Sequence, residues 1–302
     1  MSIRVRNITK IYGTQKAIDN VSFDAEVGEV IGLIGPNGAG KTTTMKILTG
    51  YMPQSEGQVE IFGHDIKTDD LEIKKLTGYL PEHNPLYGSM YVKEYLHFVC
   101  RIHRLKNISE RISNVIEQVG LEREQHKKIS ALSKGYKQRV GIAQAIIHDP
   151  KVLILDEPIS GLDPNQLIEI RALIKSLSKD RIIIFSSHIL QEIESICDKV
   201  IILDKGKIIR DDSIAELNAS TQDILNLRLS FLQEINQDEL TKIEGVLKVE
   251  KIQNAQYLIR YEISNDPREK IFDWAVHNGN KILEMTPIQE SLESIFKSVT
   301  QG

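Results

Sequence analysis

Residues 35–43 read Gly-Pro-Asn-Gly-Ala-Gly-Lys-Thr-Thr and lie between a short apolar run and the first turns of a predicted helix. The order glycine, four residues, glycine, lysine and threonine is the phosphate-loop pattern. Backbone N–H groups converge in such a bend, and the helix dipole adds positive potential there. The segment therefore predicts a site for a nucleoside triphosphate, formed by Gly35, Pro36, Asn37, Gly38, Ala39, Gly40, Lys41, Thr42 and Thr43.

Composition and charge exclude several classes of protein. The 302 residues are 41% hydrophobic and 26% charged, and the net charge of -4 indicates no basic patch, so we expect no nucleic-acid partner. No apolar run approaches the length of a membrane span, and the first residues lack the apolar core of a signal peptide. Cys100 and Cys197 are far apart in sequence, which is typical of a reducing compartment.

Strands and helices alternate through the first two-thirds of the chain. Apolar runs predict four buried strands, at 30–34, 152–155, 182–185 and 199–204. With helices between them, this order predicts an α/β fold with a parallel or mixed sheet covered on both faces. We assign residues 1–220 to this nucleotide-binding domain and place a helical subdomain at about 83–150.

The last part of the chain follows a different pattern. Polar residues 218–221 predict a linker, and strand and helix patterns then occur in the order βαββαβ. This is the order of the ferredoxin-like arrangement. We expect a small α+β domain at 221–302, closed by a final helix at 289–299. Because no cluster of catalytic residue types occurs there, we expect an accessory role.

Tyr12 lies in a predicted turn between the first two strands. Its ring is either an ordinary surface aromatic of the turn or a platform on which a purine stacks. The position in the sequence leaves both interpretations open.

Further motifs accompany the phosphate loop. Asp156 and Glu157 follow an apolar strand, and ligands bind at that end of the strands in open parallel sheets. The other motifs are Leu132-Ser133-Lys134-Gly135-Tyr136, Ser160-Gly161-Leu162-Asp163 and His188. Over residues 3–210 the set resembles the ATP-binding subunit of an ABC transporter. The resemblance implies a P-loop NTPase fold of ABC type that binds ATP with Mg²⁺ and hydrolyses the ATP.

The resemblance also implies roles that agree with the chemistry of phosphoryl transfer, which needs positioning and charge stabilisation. Lys41 binds the β and γ phosphates, while Thr42 and Asp156 hold magnesium. Glu157 orients and deprotonates the attacking water. His188 hydrogen-bonds the γ-phosphate.

By the same resemblance, Ser133 and Gly135 cap a triphosphate that a second subunit holds, and Asp163 lies at the seam. This implies a head-to-tail dimer, with itself or with a related ATPase subunit, around two ATP molecules. Ser133 is in addition well placed as the N-cap of the helix that follows it.

Two sites depart from the family pattern. Glu82 stands where the family usually has glutamine, and its carboxylate remains suited to contact magnesium or the attacking water. In the signature, Lys134 and Tyr136 replace glycine and glutamine. Lys134 adds positive charge near the phosphates, whereas Tyr136 lacks the amide of the usual glutamine, which leaves any ribose contact there open.

The segment after Glu82 resembles the surface that receives a coupling helix of a membrane permease, through Tyr87, Met90, Tyr91 and Tyr95. This implies integral membrane permease subunits as partners and a peripheral position on the cytoplasmic face of the bacterial inner membrane. The alternative is ordinary packing within the helical subdomain, which we favour for Tyr95.

The C-terminal residues 290–296 resemble those of ATPase subunits from drug and gliding-motility exporters. The run at 82–87, Glu-His-Asn-Pro-Leu-Tyr, looks most like the gliding-motility ATPase. The resemblance thus implies an exporter-related subgroup with a C-terminal extension.

Two other functions fit a single domain of this type. One is a soluble ABC ATPase that acts in assembly or translation, and the other is an ATP-gated adaptor that does not hydrolyse ATP. Translation factors of the family usually carry two nucleotide domains in one chain, and its repair ATPases carry long coiled-coil insertions. Neither pattern occurs here, so we expect an ATPase that drives a separate permease.

Overall fold

The chain divides after Ser213 into two units in the computed structural model, which describes residues 2–220 and 224–288. The strands of the first unit are β1 (Ile3–Tyr12), β2 (Gln15–Ala25), β3 (Val30–Ile34), β4 (Glu56–Ile61), β5 (His64–Asp65), β6 (Thr77–Leu80), β7 (Val152–Leu155), β8 (Ile182–Ser186), β9 (Lys199–Asp204) and β10 (Lys207–Ser213). Its helices are α1 (Lys41–Leu48), α2 (Asp70–Leu76), α3 (Val92–Ile102), α4 (Ile108–Gln118), α5 (Lys134–Ile146), α6 (Pro164–Leu177) and α7 (Leu190–Ile196).

The strands of the first unit form two sheets. The larger has the order β10-β9-β3-β8-β7-β6, and its strands are parallel except β10, which pairs antiparallel with β9. The second sheet is antiparallel, with the order β2-β1-β4-β5. The predicted α/β fold with a mixed sheet is therefore confirmed.

The central strands of the larger sheet are buried along their whole length. Every residue of β3, β7 and β8 is buried, as expected of parallel strands that are covered on both faces. A single core joins the two sheets and includes Met45, Ile47 and Leu48 of α1. This packing fixes α1, and hence the segment that precedes it, against the end of β3.

The helices α3, α4 and α5 form the helical part of the first unit. Along α3, Val92, Leu96 and Val99 recur at helical spacing and are buried. Tyr95 is 4% exposed and donates its hydroxyl hydrogen to Gln144 of α5, as ordinary packing predicts. Among the helices of the described ranges, none combines the length and the apolar character needed to cross a bilayer.

The second unit has the predicted order of elements. It contains α8 (Ile214–Ser220), β11 (Ile224–Phe231), α9 (Gln237–Thr241), β12 (Val246–Gln253), β13 (Gln256–Glu262), α10 (Arg268–His277) and β14 (Ile282–Ile288). From β11 onward the order is βαββαβ, and the antiparallel sheet has the order β12-β13-β11-β14. Helices α9 and α10 pack against this sheet, where Leu227, Leu229 and Ile259 are fully buried.

The predicted linker at 218–221 is wrong in its first three residues, which complete α8. Alanine, glutamate and leucine favour helix, and they precede the polar residues here, so the helix continues through them. The predicted final helix at 289–299 lies outside the described residues.

Two histidines stack where α3 and α5 end. The ring centroids of His103 and His148 are 4.2 Å apart, with an angle of 9° between the ring planes. His148 Nε2–H donates to the Thr77 carbonyl oxygen at 3.1 Å, and its Nδ1 is buried with no hydrogen-bond partner among the described residues. Burial, with a contribution from His103, lowers the pKa of His148 to about 4. His148 is therefore neutral in the folded chain at neutral pH.

This histidine makes stability depend on pH. The unfolded chain binds the proton near pH 6.5 and the folded chain only near pH 4, so stability falls as the pH drops through that interval. We expect the free energy of unfolding of the wild type to lose on the order of 2 kcal/mol more between pH 7 and pH 5 than that of His148→Gln.

Urea unfolding at the two pH values measures this difference. The exposed His126→Gln is the matched control and should retain the pH dependence of the wild type. If the free energy of unfolding changed equally with pH in the wild type and in His148→Gln, the lowered pKa of His148 would be contradicted.

Candidate functional site

A cavity of about 540 Å³, the nucleotide cavity, lies where β3 and β7 end. Its walls come from four separate stretches of the chain: the β1–β2 hairpin, the phosphate loop with the start of α1, the segment after β6, and the segment after β7. The lining residues are Tyr12, Gln15, Ala17, Asn37, Gly38, Gly40, Lys41, Thr42, Thr43, Glu82, Asp156 and Glu157.

The phosphate loop is shaped by Gly40 and by the side chain of Lys41. Gly40 has φ of 106°, and a Cβ there would lie 2.7 Å from the Ala17 carbonyl oxygen, so only glycine fits. Lys41 Nζ donates hydrogen bonds to the carbonyl oxygens of Gly35 at 2.7 Å and Pro36 at 3.1 Å. Since α1 begins at Lys41, its first N–H groups lack partners within the helix.

Three of the residues predicted to form the phosphate site lie outside the lining of the nucleotide cavity. Gly35, Pro36 and Ala39 do not line the cavity. Ala39 is buried and its N–H donates to the Pro36 carbonyl oxygen, which closes the bend. These residues therefore shape the loop from behind, while Asn37, Gly38 and the start of α1 face the cavity.

The nucleotide cavity has more negatively than positively charged side chains. Burial lowers the pKa of Lys41, and the carboxylates of Glu157, Asp156 and Glu82 oppose that shift. One ammonium group thus faces three carboxylates. A bound divalent cation would correct this excess of negative charge.

Asp156 is 2% exposed, and its two carboxylate oxygens differ in their surroundings. Oδ1 accepts a hydrogen bond from the Ser186 hydroxyl at 2.7 Å. Oδ2 is buried and has no hydrogen-bond partner in the described part of the chain. Buried polar atoms are nearly always paired, so an unpaired carboxylate oxygen beside a phosphate loop fits a cation ligand.

Glu157 and His188 are in direct contact. Glu157 Oε2 lies 2.7 Å from His188 Nδ1, and the Glu157 side chain is 13% exposed whereas that of His188 is 60% exposed. His188 does not line the nucleotide cavity and reaches it through Glu157. Glu157 has φ of 52°, an uncommon conformation for a residue with a side chain.

The signature residues lie apart from the nucleotide cavity of the same chain. Gly135, Tyr136 and Asp163 line a separate space of about 250 Å³ at the N-terminal ends of α5 and α6, the signature cavity. Ser133 caps α5, since its Oγ accepts the Tyr136 N–H at 3.4 Å. The nucleotide cavity and the signature cavity share no lining residue.

A third space, the aromatic groove, has a volume of about 380 Å³. Tyr87 is 55% exposed, and its ring makes edge contacts with Tyr95 and Phe98 at centroid distances of 6.0 and 5.7 Å. The other lining residues are Thr77, Tyr79, Pro85, Val99, Ile102, His103, Gln144, Ala145 and His148. Met90 and Tyr91 do not line the groove.

Sequence reasoning missed three residues of the nucleotide cavity and its surroundings. Gln15 and Ala17 line the cavity because β2 runs antiparallel to β1, which ends at Tyr12. The two residues are two apart on one strand, so their side chains lie on the same face, and this spacing could have identified them. Ser186 is the last residue of β8, one residue beyond the predicted strand. Its bond to Asp156 depends on the pairing of β7 with β8, which the sequence does not state.

The comparisons with known proteins agree on one family. The family model for the ABC transporter matches residues 18–160. An uncharacterised ABC transporter ATP-binding protein of Bacillus subtilis strain 168, YxlF, is 38% identical over 314 residues, covering 99% of this chain and 100% of the relative. The bacitracin transport ATP-binding protein BcrA of Bacillus licheniformis is 35% identical over 306 residues, covering 99% and 97%.

A solved structure agrees with the fold. The dimeric structure of MJ0796, a bacterial ABC transporter cassette, is 25% identical and has a TM-score of 0.64, covering 70% of this chain and 98% of that chain. The relatives are transporter subunits, which favours transport over the assembly or translation alternative. The sequence similarity extends over nearly the whole of this chain and of both relatives, and one cavity brings the phosphate loop together with the acidic residues that follow β7. This chain therefore belongs to the ATP-binding subunits of ABC transporters, the ATPases that power membrane permeases.

Proposed function

We propose that this chain is the ATP-hydrolysing subunit of a drug-export type ABC transporter, and that it holds two ATP molecules head to tail with a second copy or a related subunit. The observation that carries the proposal is the division of the expected site between two cavities. Lys41, Asp156 and Glu157 line the nucleotide cavity, whereas Gly135 and Tyr136 line the signature cavity. A second subunit would supply the half that each nucleotide cavity lacks.

A magnesium ion bound with the nucleotide fits the donor atoms of the cavity. Mg²⁺ prefers oxygen ligands, and the proposal assigns it to Thr42, Asp156 and Glu82, with water in the remaining positions. When bound, the ion neutralises charge on the phosphate oxygens. The buried, unpartnered Oδ2 of Asp156 is the atom that supports this assignment most directly.

The side chains of the chain itself account for the remaining steps. Lys41 exchanges the carbonyl oxygens of Gly35 and Pro36 for the β and γ phosphates when ATP enters the loop. Glu157 orients the attacking water and accepts its proton. His188, held through Nδ1 by Glu157, has its Nε2 left to hydrogen-bond the γ-phosphate.

The base-binding part of the site is assigned to Tyr12. Its ring is 48% exposed, lines the nucleotide cavity, and has the Lys10 ammonium group 5.4 Å from its centroid. The hydroxyl group contacts Met52 Sδ at 3.0 Å, which fixes the ring. An aromatic ring held at the cavity wall is suited to stack on adenine.

At the dimer seam, the N-terminal end of α5 is assigned to the partner's triphosphate. Ser133 and Gly135 contribute polar groups there, Lys134 adds a positive charge, and Tyr136 lies beside them in the signature cavity. Asp163 caps α6 through the Gln166 N–H at 2.9 Å, which places it in the same cavity. Likeness to a dimeric cassette supports this arrangement.

Replacement of the catalytic carboxylate tests the hydrolysis mechanism. Glu157→Gln removes the proton acceptor while it preserves the size of the side chain, so we expect turnover to fall by roughly 10²–10⁴ with ATP binding retained. The trapped ATP should also hold dimers together on a sizing column, and phosphate release measures turnover.

The exposed Glu122→Gln is the matched control, because Glu122 lies in neither cavity, and it should hydrolyse ATP as the wild type does. Turnover that survives in Glu157→Gln would remove Glu157 from the mechanism. A variant that binds ATP and stays monomeric would remove the head-to-tail dimer.

The aromatic groove is assigned to the permease. It has exposed aromatic surface, and its residues Pro85 and Tyr87 follow Glu82 closely in the chain. Such patches are typical of protein interfaces. An amphipathic helix of the permease would insert an apolar side chain beside Tyr87. Of the four residues expected at this surface, Tyr87 is the one assigned to the permease contact, because Tyr95 is occupied in packing and Met90 and Tyr91 lie outside the groove.

A cysteine at Tyr87 tests this contact. Both native cysteines, Cys100 and Cys197, are buried, so Tyr87→Cys supplies the accessible thiol. We expect a thiol crosslinker to join this variant to the coexpressed permease in membranes. Tyr51→Cys, at a position that is 70% exposed and outside the groove, is the control and should give no such product. Equal crosslinking at both positions, or none at Tyr87, would contradict the assignment.

The transport class and the membrane position follow from the same proposal. The relative named for bacitracin transport supports the drug-export type, while gliding motility remains a prediction from the run at 82–87. The C-terminal residues 290–296, which also carried that resemblance, lie outside the described residues. A permease partner would hold the chain peripherally at the cytoplasmic face of the bacterial inner membrane.

A further inference from the structure

The hydroxyl group of Ser186 connects two of the three acidic residues of the nucleotide cavity, Asp156 and Glu157. Ser186 is the last residue of β8 and is fully buried. Its Oγ donates to Asp156 Oδ1 at 2.7 Å and accepts the Glu157 backbone N–H at 2.9 Å. A serine hydroxyl has one hydrogen to donate, and here that hydrogen is used on the carboxylate.

This contact follows from the pairing of two parallel strands. Leu155 of β7 pairs with Phe185 of β8, so the next residue on each strand, Asp156 and Ser186, are brought side by side. Both side chains are almost fully buried, which removes water as an alternative partner. The orientation of the Asp156 carboxylate therefore depends on this one hydroxyl group.

We propose that Ser186 is a positioning residue for the ATPase reaction. By binding Oδ1 it turns the other oxygen of Asp156, the buried and unpartnered Oδ2, toward the metal position. The inference rests on the proposed function, in which Asp156 binds Mg²⁺. Groups that orient a metal ligand typically change metal affinity or activity 10–100-fold when they are removed.

The second hydrogen bond of Ser186 is the one that it accepts from the backbone N–H of Glu157. The backbone of Glu157 is in the left-handed region, with φ of 52°, which is unfavourable for a residue that carries a side chain. The hydrogen bond from its N–H to Ser186 helps to hold that conformation. In it, the Glu157 carboxylate contacts His188. One hydroxyl group thus binds both the Asp156 carboxylate and the backbone that carries the Glu157 carboxylate.

Metal binding by the full-length chain tests the inference without reference to turnover. Mn²⁺ is titrated in the presence of a non-hydrolysable ATP analogue and followed by electron paramagnetic resonance. We expect Ser186→Ala to bind Mn²⁺ roughly 10–100-fold more weakly than the wild type. Affinity for a fluorescent ATP analogue in EDTA should stay unchanged, because the phosphate loop is intact.

Two further variants separate positioning from simple loss of structure. Ser186→Thr keeps the hydroxyl group and should restore Mn²⁺ affinity toward that of the wild type. Ser178→Ala removes another buried hydroxyl group, one that donates to the Lys175 carbonyl oxygen at 3.0 Å, and should bind Mn²⁺ as the wild type does. Equal weakening in Ser186→Ala and Ser178→Ala, or equal loss of metal-free nucleotide binding, would overturn the inference.

Asp156→Asn distinguishes failure of this inference from failure of the proposed function. If Asp156→Asn loses Mn²⁺ binding and Ser186→Ala retains it, the role of Ser186 is overturned and the metal assignment stands. If Asp156→Asn binds Mn²⁺ as the wild type does, the metal assignment falls and the inference falls with it. Weakened binding in both variants, with rescue by Ser186→Thr, supports the two together.

Discussion

Like charges held close together at the ends of β6 and β7 govern the nucleotide cavity. Glu82, Asp156 and Glu157 face a single ammonium group, that of Lys41. Asp156 and Glu157 are largely buried, and burial disfavours such charges unless each has a partner. The partners within the chain, which are two loop carbonyls, one serine and one histidine, leave an oxygen of Asp156 unsatisfied. A ligand that combines several negative charges with a divalent cation suits this arrangement, and MgATP is such a ligand.

The sheet brings these charges together from distant parts of the chain. Neighbouring parallel strands end at the same edge, so β3 delivers the phosphate loop, β7 the acidic pair and β8 the residues Ser186 and His188. Because side chains on both faces of these strands pack into the core, a shift in register would disrupt that packing. The distances within the site are therefore set by the core rather than by the loops.

Helix α5 lies close to the signature cavity, the aromatic groove and the strand that leads to the nucleotide cavity. Its N-terminal residues line the signature cavity, its last turn borders the aromatic groove at Gln144 and Ala145, and its side packs on β6, which leads into Glu82. With 13 residues it spans about 20 Å, at the usual rise per residue. A partner that moves α5 at the aromatic groove would therefore also move the residues of α5 that line the signature cavity. This geometry supports the proposed coupling between the signature cavity and a permease bound at the groove.

Much of this chain follows from local sequence signals. The glycine spacing at 35–43, the apolar run before Asp156 and the period of α3 predict their structures because each depends on neighbouring residues only. The order of elements in the second unit was predictable for the same reason. The predicted linker was wrong over residues 218–220, because they continue the helix that begins at Ile214.

By itself, the sequence determined the loop that binds phosphate, the acidic pair and the alternation of strands and helices, since all of these are patterns within short segments. Tertiary structure alone decided that Gln15 and Ala17 line the cavity, that Ser186 bonds Asp156, and that the signature residues lie apart from the phosphate loop of their own chain. The physical reason is that these contacts join residues far apart along the chain. Such contacts depend on which strands pair and in which register, and no local pattern of residues encodes that choice.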